Sequence, residues 1–183
     1  TRYATAPVPL RFCYIAHAYR AVRQHRGQAR EILQAGIELV GAPGPEGTAE
    51  AISVLCAALD AAGLVSYRIG LGDASLFPRA LARAGVRDTR PILRELADGD
   101  LVGLERELER AGAPELLELA RSRGGVEIVP EGEPLRELYD LLAPDVAERV
   151  IFDLGLVRTL GYYTGAVFEV YDAAFGQPIG GGG

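Results

Sequence analysis

The sequence predicts an α+β fold, in which helices flank an antiparallel sheet and a helical insertion interrupts the chain between the strands. Two observations lead to this prediction. Alternating patterns typical of β-strands occur near both ends of the chain, whereas the middle carries short helical patterns rich in leucine. Consecutive strands with helices grouped elsewhere are typical of an α+β domain.

The N-terminal part of the chain predicts an antiparallel hairpin. Strand patterns cover residues 11–22 and 31–41, and the polar stretch between them contains Gly27, which favours a turn or loop. Gln34, Gly36 and Glu38 share one face of the second strand. Because a buried glutamate is rarely left unpaired, we expect either an amine ligand or a neighbouring arginine to neutralise Glu38.

A helix is predicted to follow the hairpin. Residues 49–62 carry an apolar stripe at helical spacing that begins at Ile52. Thr48 is the predicted N-cap residue and Gly63 the predicted end of the helix. A short strand is predicted at 64–70.

The middle segment, residues 71–149, predicts a helical insertion into a sheet domain made of residues 1–70 and 150–183. Short helical patterns are separated there by Gly, Asp and Pro. They cover residues 76–84, 91–98, 101–110, 114–121, 135–142 and 145–150. No metal or nucleophile constellation is visible in this segment, so we expect it to pack or to contact a partner.

The stretch Ile151–Tyr171 is the candidate functional region. An apolar run leads to Arg158, and an alternating strand pattern follows, with Tyr163, Gly165 and Glu169 on one face. A glycine beside a tyrosine leaves a hollow against an aromatic wall, which suits a small polar ligand. The alternative is an ordinary half-buried hairpin strand.

Composition narrows the function classes. The net charge of −6 gives no bulk attraction to nucleic acid or to an anionic membrane surface. No apolar stretch reaches the roughly 18 residues of a membrane span, and no signal-peptide pattern opens the chain. The two cysteines form neither a disulfide framework nor a metal-binding pair, which fits a reducing cytoplasm. We expect no metal and no cofactor, and the two ends suggest a piece of a longer protein.

Three stretches resemble motifs of the histidyl-tRNA synthetase family, which belongs to the class II aminoacyl-tRNA synthetases. Residues 19–41 (YRAVRQHRGQAREILQAGIELVG) resemble motif 2, and residues 156–169 (LVRTLGYYTGAVFE) resemble the histidine-specific signature. Residues 178–183 (PIGGGG) resemble the start of motif 3. The three occur in family order, so the resemblance implies the class II antiparallel sheet with flanking helices.

The resemblance also implies a histidine-like pocket. In that pocket Glu38 would pair with the α-ammonium group, Gln34 would add a hydrogen bond, and Tyr163 would meet the imidazole. Arg20 would hold the carboxylate. The implied ligand-binding residues are Arg20, Gln34, Glu38, Arg158, Tyr162 and Tyr163.

Departures from the enzyme's motifs indicate a catalytically inactive branch of the family. Val22 stands where the synthetase has a glutamate that holds the adenine of ATP, and valine accepts no hydrogen bond. Gln28 stands in place of a motif 2 arginine, and Gly161 in place of an aspartate. Members of the inactive branch are regulatory subunits of ATP phosphoribosyltransferase.

For such a subunit, the resemblance implies that it activates the short catalytic subunit in the first step of histidine biosynthesis. It also implies a contribution to feedback regulation by histidine. The expected partners are this catalytic subunit, a second copy within a hetero-oligomer and a possible histidine ligand. The alternative is an authentic histidyl-tRNA synthetase catalytic core.

Overall fold

The computed structural model describes Tyr3 and residues 5–19, 30–157 and 162–183. Within these residues it contains two sheets and seven α-helices. The strands are β1 (Leu10–Tyr19), β2 (Glu31–Val40), β3 (Arg68–Asp73), β4 (Arg123–Gly124), β5 (Val150–Asp153), β6 (Ala166–Tyr171) and β7 (Gly180–Gly182). The helices are α1 (Pro45–Ala61), α2 (Leu76–Arg83), α3 (Arg90–Asp98), α4 (Leu101–Ala111), α5 (Leu116–Arg121), α6 (Pro134–Asp140) and α7 (Pro144–Ala147).

The predicted hairpin is confirmed. Strands β1 and β2 pair antiparallel over ten residues each, with Phe12 opposite Glu38 and Ala16 opposite Gln34. They form a sheet of two strands within the described residues. The predicted end of the first strand and most of the predicted turn, residues 20–29, lie outside the described residues.

The second sheet has five strands in the order β4-β5-β3-β6-β7. Its pairs are antiparallel except for β3 and β5, which run parallel. A parallel pair needs a long crossover connection, and the helical segment between β3 and β5 supplies it. The α+β prediction with a largely antiparallel sheet is therefore confirmed, with one parallel pair that the pattern did not predict.

Helix α1 begins earlier than predicted. Gly44 is the N-cap residue and Pro45 opens the first turn, because the fixed φ of proline is suited to that position. Thr48 therefore lies inside the helix, where its hydroxyl donates to the Gly44 carbonyl oxygen at 3.5 Å, and its prediction as a cap was wrong. The next strand begins at Arg68 rather than Leu64.

Two predictions near the C-terminal end were also wrong. The predicted helix at 145–150 is only the short α7, which ends at Ala147, and Val150 opens β5. Tyr162 and Tyr163 precede β6, which begins at Ala166, so they do not belong to the strand. At 145–150 a short apolar pattern matched both a helix and a strand, and pairing with β3 placed Val150 in β5.

Two apolar clusters form the core. The sheet cluster joins α1, the five-stranded sheet and α6, and it includes Ile52, Tyr67 and Phe152. The helical cluster joins α2 to α5, with Phe77 and Leu104 at its centre. The division into a sheet domain and a helical insertion at 71–149 stays a prediction. In the part of the chain that the structure describes, no helix has the length and apolar character needed to cross a membrane.

Candidate functional site

The polar residues predicted on the hairpin lie on one face of it. Side chains alternate between the two faces of a strand, so Gln34, Gly36 and Glu38 point to the same side of β2. The register places Tyr14 of β1 directly opposite Gly36. The hairpin therefore brings Gln34 and Glu38 together on a face that Tyr14 shares.

Tyr14 is a residue that sequence reasoning did not select. The Gln34 side-chain amide donates to the Tyr14 hydroxyl oxygen, with 2.6 Å between Nε2 and Oη. A Cβ atom on Gly36 would lie 2.4 Å from the Cζ and hydroxyl oxygen atoms of Tyr14. The ring therefore lies across the neighbouring strand, in space that only a glycine leaves open.

Glu38 is exposed rather than buried, contrary to the premise of the sequence argument. It lies beside an open crevice of about 210 Å³ between the hairpin and α1, whose lining includes Phe12 and Val54. Among the described residues no arginine forms an ion pair with Glu38. Arg11 at the same crevice pairs with Glu50, and this hydrogen bond raises the pKa of Arg11 and lowers that of Glu50.

The tyrosine pair lies beside the five-stranded sheet. The ring centroids of Tyr162 and Tyr163 are 4.5 Å apart, and the Tyr162 hydroxyl donates to the Tyr163 oxygen at 3.4 Å. Tyr162 is 67% exposed, whereas Tyr163 is half-buried. A Cβ atom on Gly183 would lie 2.6 Å from Cδ1 of Tyr163, so the ring packs on the backbone just after β7. A Cβ atom on Gly165 would meet nothing within 4 Å, so the predicted aromatic wall does not line the space beside this glycine.

The sheet face that carries Glu169 is polar. Glu169 of β6 lies opposite Gly70 of β3, and the Tyr171 hydroxyl donates to its carboxylate. Burial, followed by this hydrogen bond, raises the pKa of Tyr171. On β5, which pairs with the other edge of β3, burial raises the pKa of Asp153, against the opposing charge of Arg123 at 2.8 Å.

The structure thus places four of the six predicted ligand-binding residues. Gln34 and Glu38 lie on the two-stranded sheet, and Tyr162 and Tyr163 lie beside the five-stranded sheet. The other two, Arg20 and Arg158, lie outside the described residues, as do the departures Val22, Gln28 and Gly161. That the six residues form one pocket stays a prediction.

Strands paired in this order, flanked by helices and preceded by a long hairpin, define a class II synthetase-like fold. A family model described as histidyl-tRNA synthetase matches residues 1–183. This chain belongs to the histidyl-tRNA synthetase family.

Relatives from both branches of the family match this chain. A protein of Symbiobacterium thermophilum named "ATP phosphoribosyltransferase regulatory subunit" is 42% identical over 203 residues, which cover 100% of this chain and 51% of that protein. A "Histidine--tRNA ligase" of Thermococcus kodakarensis is 33% identical and covers 100% of this chain and 48% of that protein. The chain thus spans about half the length of the curated relatives it matches.

A solved structure has the same fold. It is the crystal structure of an "ATP phosphoribosyltransferase regulatory subunit/histidyl-tRNA synthetase" from Bacillus halodurans C, which superposes with a TM-score of 0.82 at 28% identity. The match covers 97% of this chain and 52% of the solved chain.

Proposed function

We propose that this chain is part of a non-catalytic regulatory subunit of ATP phosphoribosyltransferase. In this role it activates the short catalytic subunit in the first step of histidine biosynthesis and contributes to feedback regulation by histidine. The observation that carries the proposal is the 42% identity, over the whole chain, to a relative named as such a regulatory subunit.

The departures from the synthetase motifs support a non-catalytic role. Adenylation requires fixed positive charge around the phosphate on which the reaction takes place. Gln28 replaces an arginine of the enzyme's motif 2, and Val22 replaces the glutamate that holds adenine. A chain with these substitutions retains the amino-acid side of the site better than the ATP side.

The proposed histidine pocket uses the residues retained on that side. Glu38 and Gln34 lie on one hairpin face, where a carboxylate and an amide suit an α-ammonium group. Tyr163 meets the imidazole, and Arg20 holds the ligand carboxylate. Arg158 and Tyr162 complete the proposed set.

Regulation in this proposal requires different contacts with two states of the catalytic subunit, since a partner shifts an equilibrium only by its differential affinity. Histidine bound to this chain would shift the same equilibrium. We include in the proposal a second copy of the chain within the hetero-oligomer, and a cytoplasmic location.

The first experiment measures ATP–pyrophosphate exchange with histidine on the full-length protein, followed by mixing with short-form ATP phosphoribosyltransferase. We expect no exchange, and a higher turnover rate of the catalytic subunit on mixing. A catalytic subunit whose rate is unchanged at saturating amounts of the full-length protein would contradict the proposal.

The second candidate function is a histidyl-tRNA synthetase catalytic core. The 33% identity to a "Histidine--tRNA ligase" over the whole chain favours it. The same experiment separates the two functions, because a synthetase catalyses histidine-dependent exchange without a partner.

A further inference from the structure

Of the four predicted pocket residues that the structure describes, Gln34 is the one hydrogen-bonded to Tyr14. Its hydroxyl oxygen accepts a hydrogen bond from Gln34 Nε2 at 2.6 Å. We propose that Tyr14 is a positioning residue, which orients the Gln34 amide so that its carbonyl oxygen accepts a hydrogen bond from the ammonium group of a bound amino acid. This inference rests on the histidine pocket of the proposed function.

The chemistry of the amide gives the direction of the effect. A glutamine side chain carries two N–H donors and one carbonyl acceptor, and an ammonium group donates only. With the nitrogen turned to Tyr14, the oxygen lies on the opposite branch of the amide and is the atom that suits an ammonium group. Without the tyrosine hydroxyl, the amide rotates among several orientations, and some of them present N–H groups to the cation.

The hairpin supports this arrangement with two small residues. Gly36, opposite Tyr14, leaves the space that the tyrosine ring occupies. Ala16, opposite Gln34, is too short to compete for the glutamine amide. Tyr14 and Gln34 are thus diagonal neighbours on adjacent strands, a distance that an aromatic side chain spans.

The test is calorimetric titration of the full-length Tyr14→Phe protein with two ligands. One is histidine and the other is 3-(imidazol-4-yl)propionate, which has the ring and the carboxylate but no amine. Tyr14→Phe removes the hydrogen bond that orients the Gln34 amide toward the ammonium group. We expect its affinity for histidine to be about 5- to 10-fold lower. Affinity for the amine-free ligand stays unchanged, since Tyr14 acts only on the contact with the ammonium group.

Matched variants separate positioning from a general effect on the hairpin. Tyr19→Phe removes a hydroxyl that donates to Glu31 at 2.9 Å in the same hairpin, and it leaves both affinities unchanged. Glu38→Ala weakens histidine selectively, because it removes the carboxylate that pairs with the ammonium group. Tyr14→Phe combined with Gln34→Ala binds histidine no more weakly than Gln34→Ala alone, because Tyr14 acts through Gln34.

Three results would overturn the inference. Equal histidine affinity of Tyr14→Phe and the wild type would remove Tyr14 from the pocket. Equal weakening of both ligands would show a general structural role. A wild-type protein that binds no histidine would remove the pocket itself, and stimulation of the catalytic subunit would then still report separately on the regulatory function.

Discussion

At the residue scale, the carboxyl group of Asp153 is buried at the end of β5. Burial raises its pKa above the ordinary value of 3.8, although Arg123 and the Gly155 backbone N–H both contact the carboxylate. The native state therefore keeps this proton at pH values where the unfolded chain has released it. As pH rises from about 3.8 through the folded pKa, the contribution of Asp153 to stability falls.

Asp153→Asn removes this titration. We expect the unfolding free energy of the variant to increase relative to that of the wild type as pH rises through that window, so that the variant becomes relatively more stable. Urea unfolding between about pH 3 and pH 7 measures the difference. A difference that stays constant over this range would show that burial does not perturb Asp153.

Asp88 provides the matched control with the opposite sign. The hydrogen bond from Arg90 lowers the pKa of this exposed carboxyl group, so its contribution to stability is present at neutral pH and is lost as pH falls. The unfolding free energy of Asp88→Asn should therefore decrease relative to that of the wild type as pH rises, so that the variant becomes relatively less stable. The effect is small because both side chains are solvated.

At the scale of elements, Gly72 allows the backbone of β3 to lie close to the end of β5. A Cβ atom there would lie 2.7 Å from the Asp153 carbonyl oxygen and 2.8 Å from Cβ of Leu156. Backbone cannot move aside as a flexible side chain can, so Gly72→Ala should lower the unfolding free energy by about 1–3 kcal/mol. Thermal and urea unfolding measure this loss.

The control for that substitution is Gly180→Ala in β7, where an added Cβ atom meets nothing within 4 Å. We expect a change within about 0.5 kcal/mol, as for most surface substitutions. Similar losses for the two variants would show that the close contact with β5 does not decide the effect.

At the scale of the whole molecule, stability comes from two apolar clusters with different members. Leu104 is fully buried at the centre of the helical cluster, whereas Leu101 begins the same helix and is 42% exposed. Leu104→Ala should cost about 2–5 kcal/mol of unfolding free energy, because it removes buried atoms and leaves a cavity. Leu101→Ala serves as the control, with a much smaller loss in the same urea titration.

An equal loss for the two leucine variants would contradict the assignment of Leu104 to the core. A loss below about 1 kcal/mol for Leu104→Ala would show that the helical cluster adds little to global stability.

Much of the fold follows from local patterns. Helices α2 to α5 were predicted within about two residues of their bounds, because an apolar stripe at helical spacing is a property of neighbouring residues. The hairpin strands were predicted because the alternation of side chains along a strand is also a property of neighbouring residues. The start of α1 was missed because Thr48 and Pro45 both signal a helix start, and only the folded chain shows which one is used.

The candidate site was predictable only in part. Alternation along one strand places Gln34 and Glu38 on one face whatever the rest of the chain does. Tyr14 was missed because its link to Gln34 depends on the register between two strands. The contact of Tyr163 with Gly183 likewise depends on how β7 pairs with β6.

Local patterns therefore predicted the hairpin, most of the helices, the shared face of Gln34 and Glu38, and the family motifs, since each of these is carried by residues close together in the chain. Folding set what these patterns do not contain: Glu38 is exposed, β3 runs parallel to β5, and Tyr14 reaches Gln34. Burial and strand register arise from contacts between distant segments, and no periodicity within one segment contains that information.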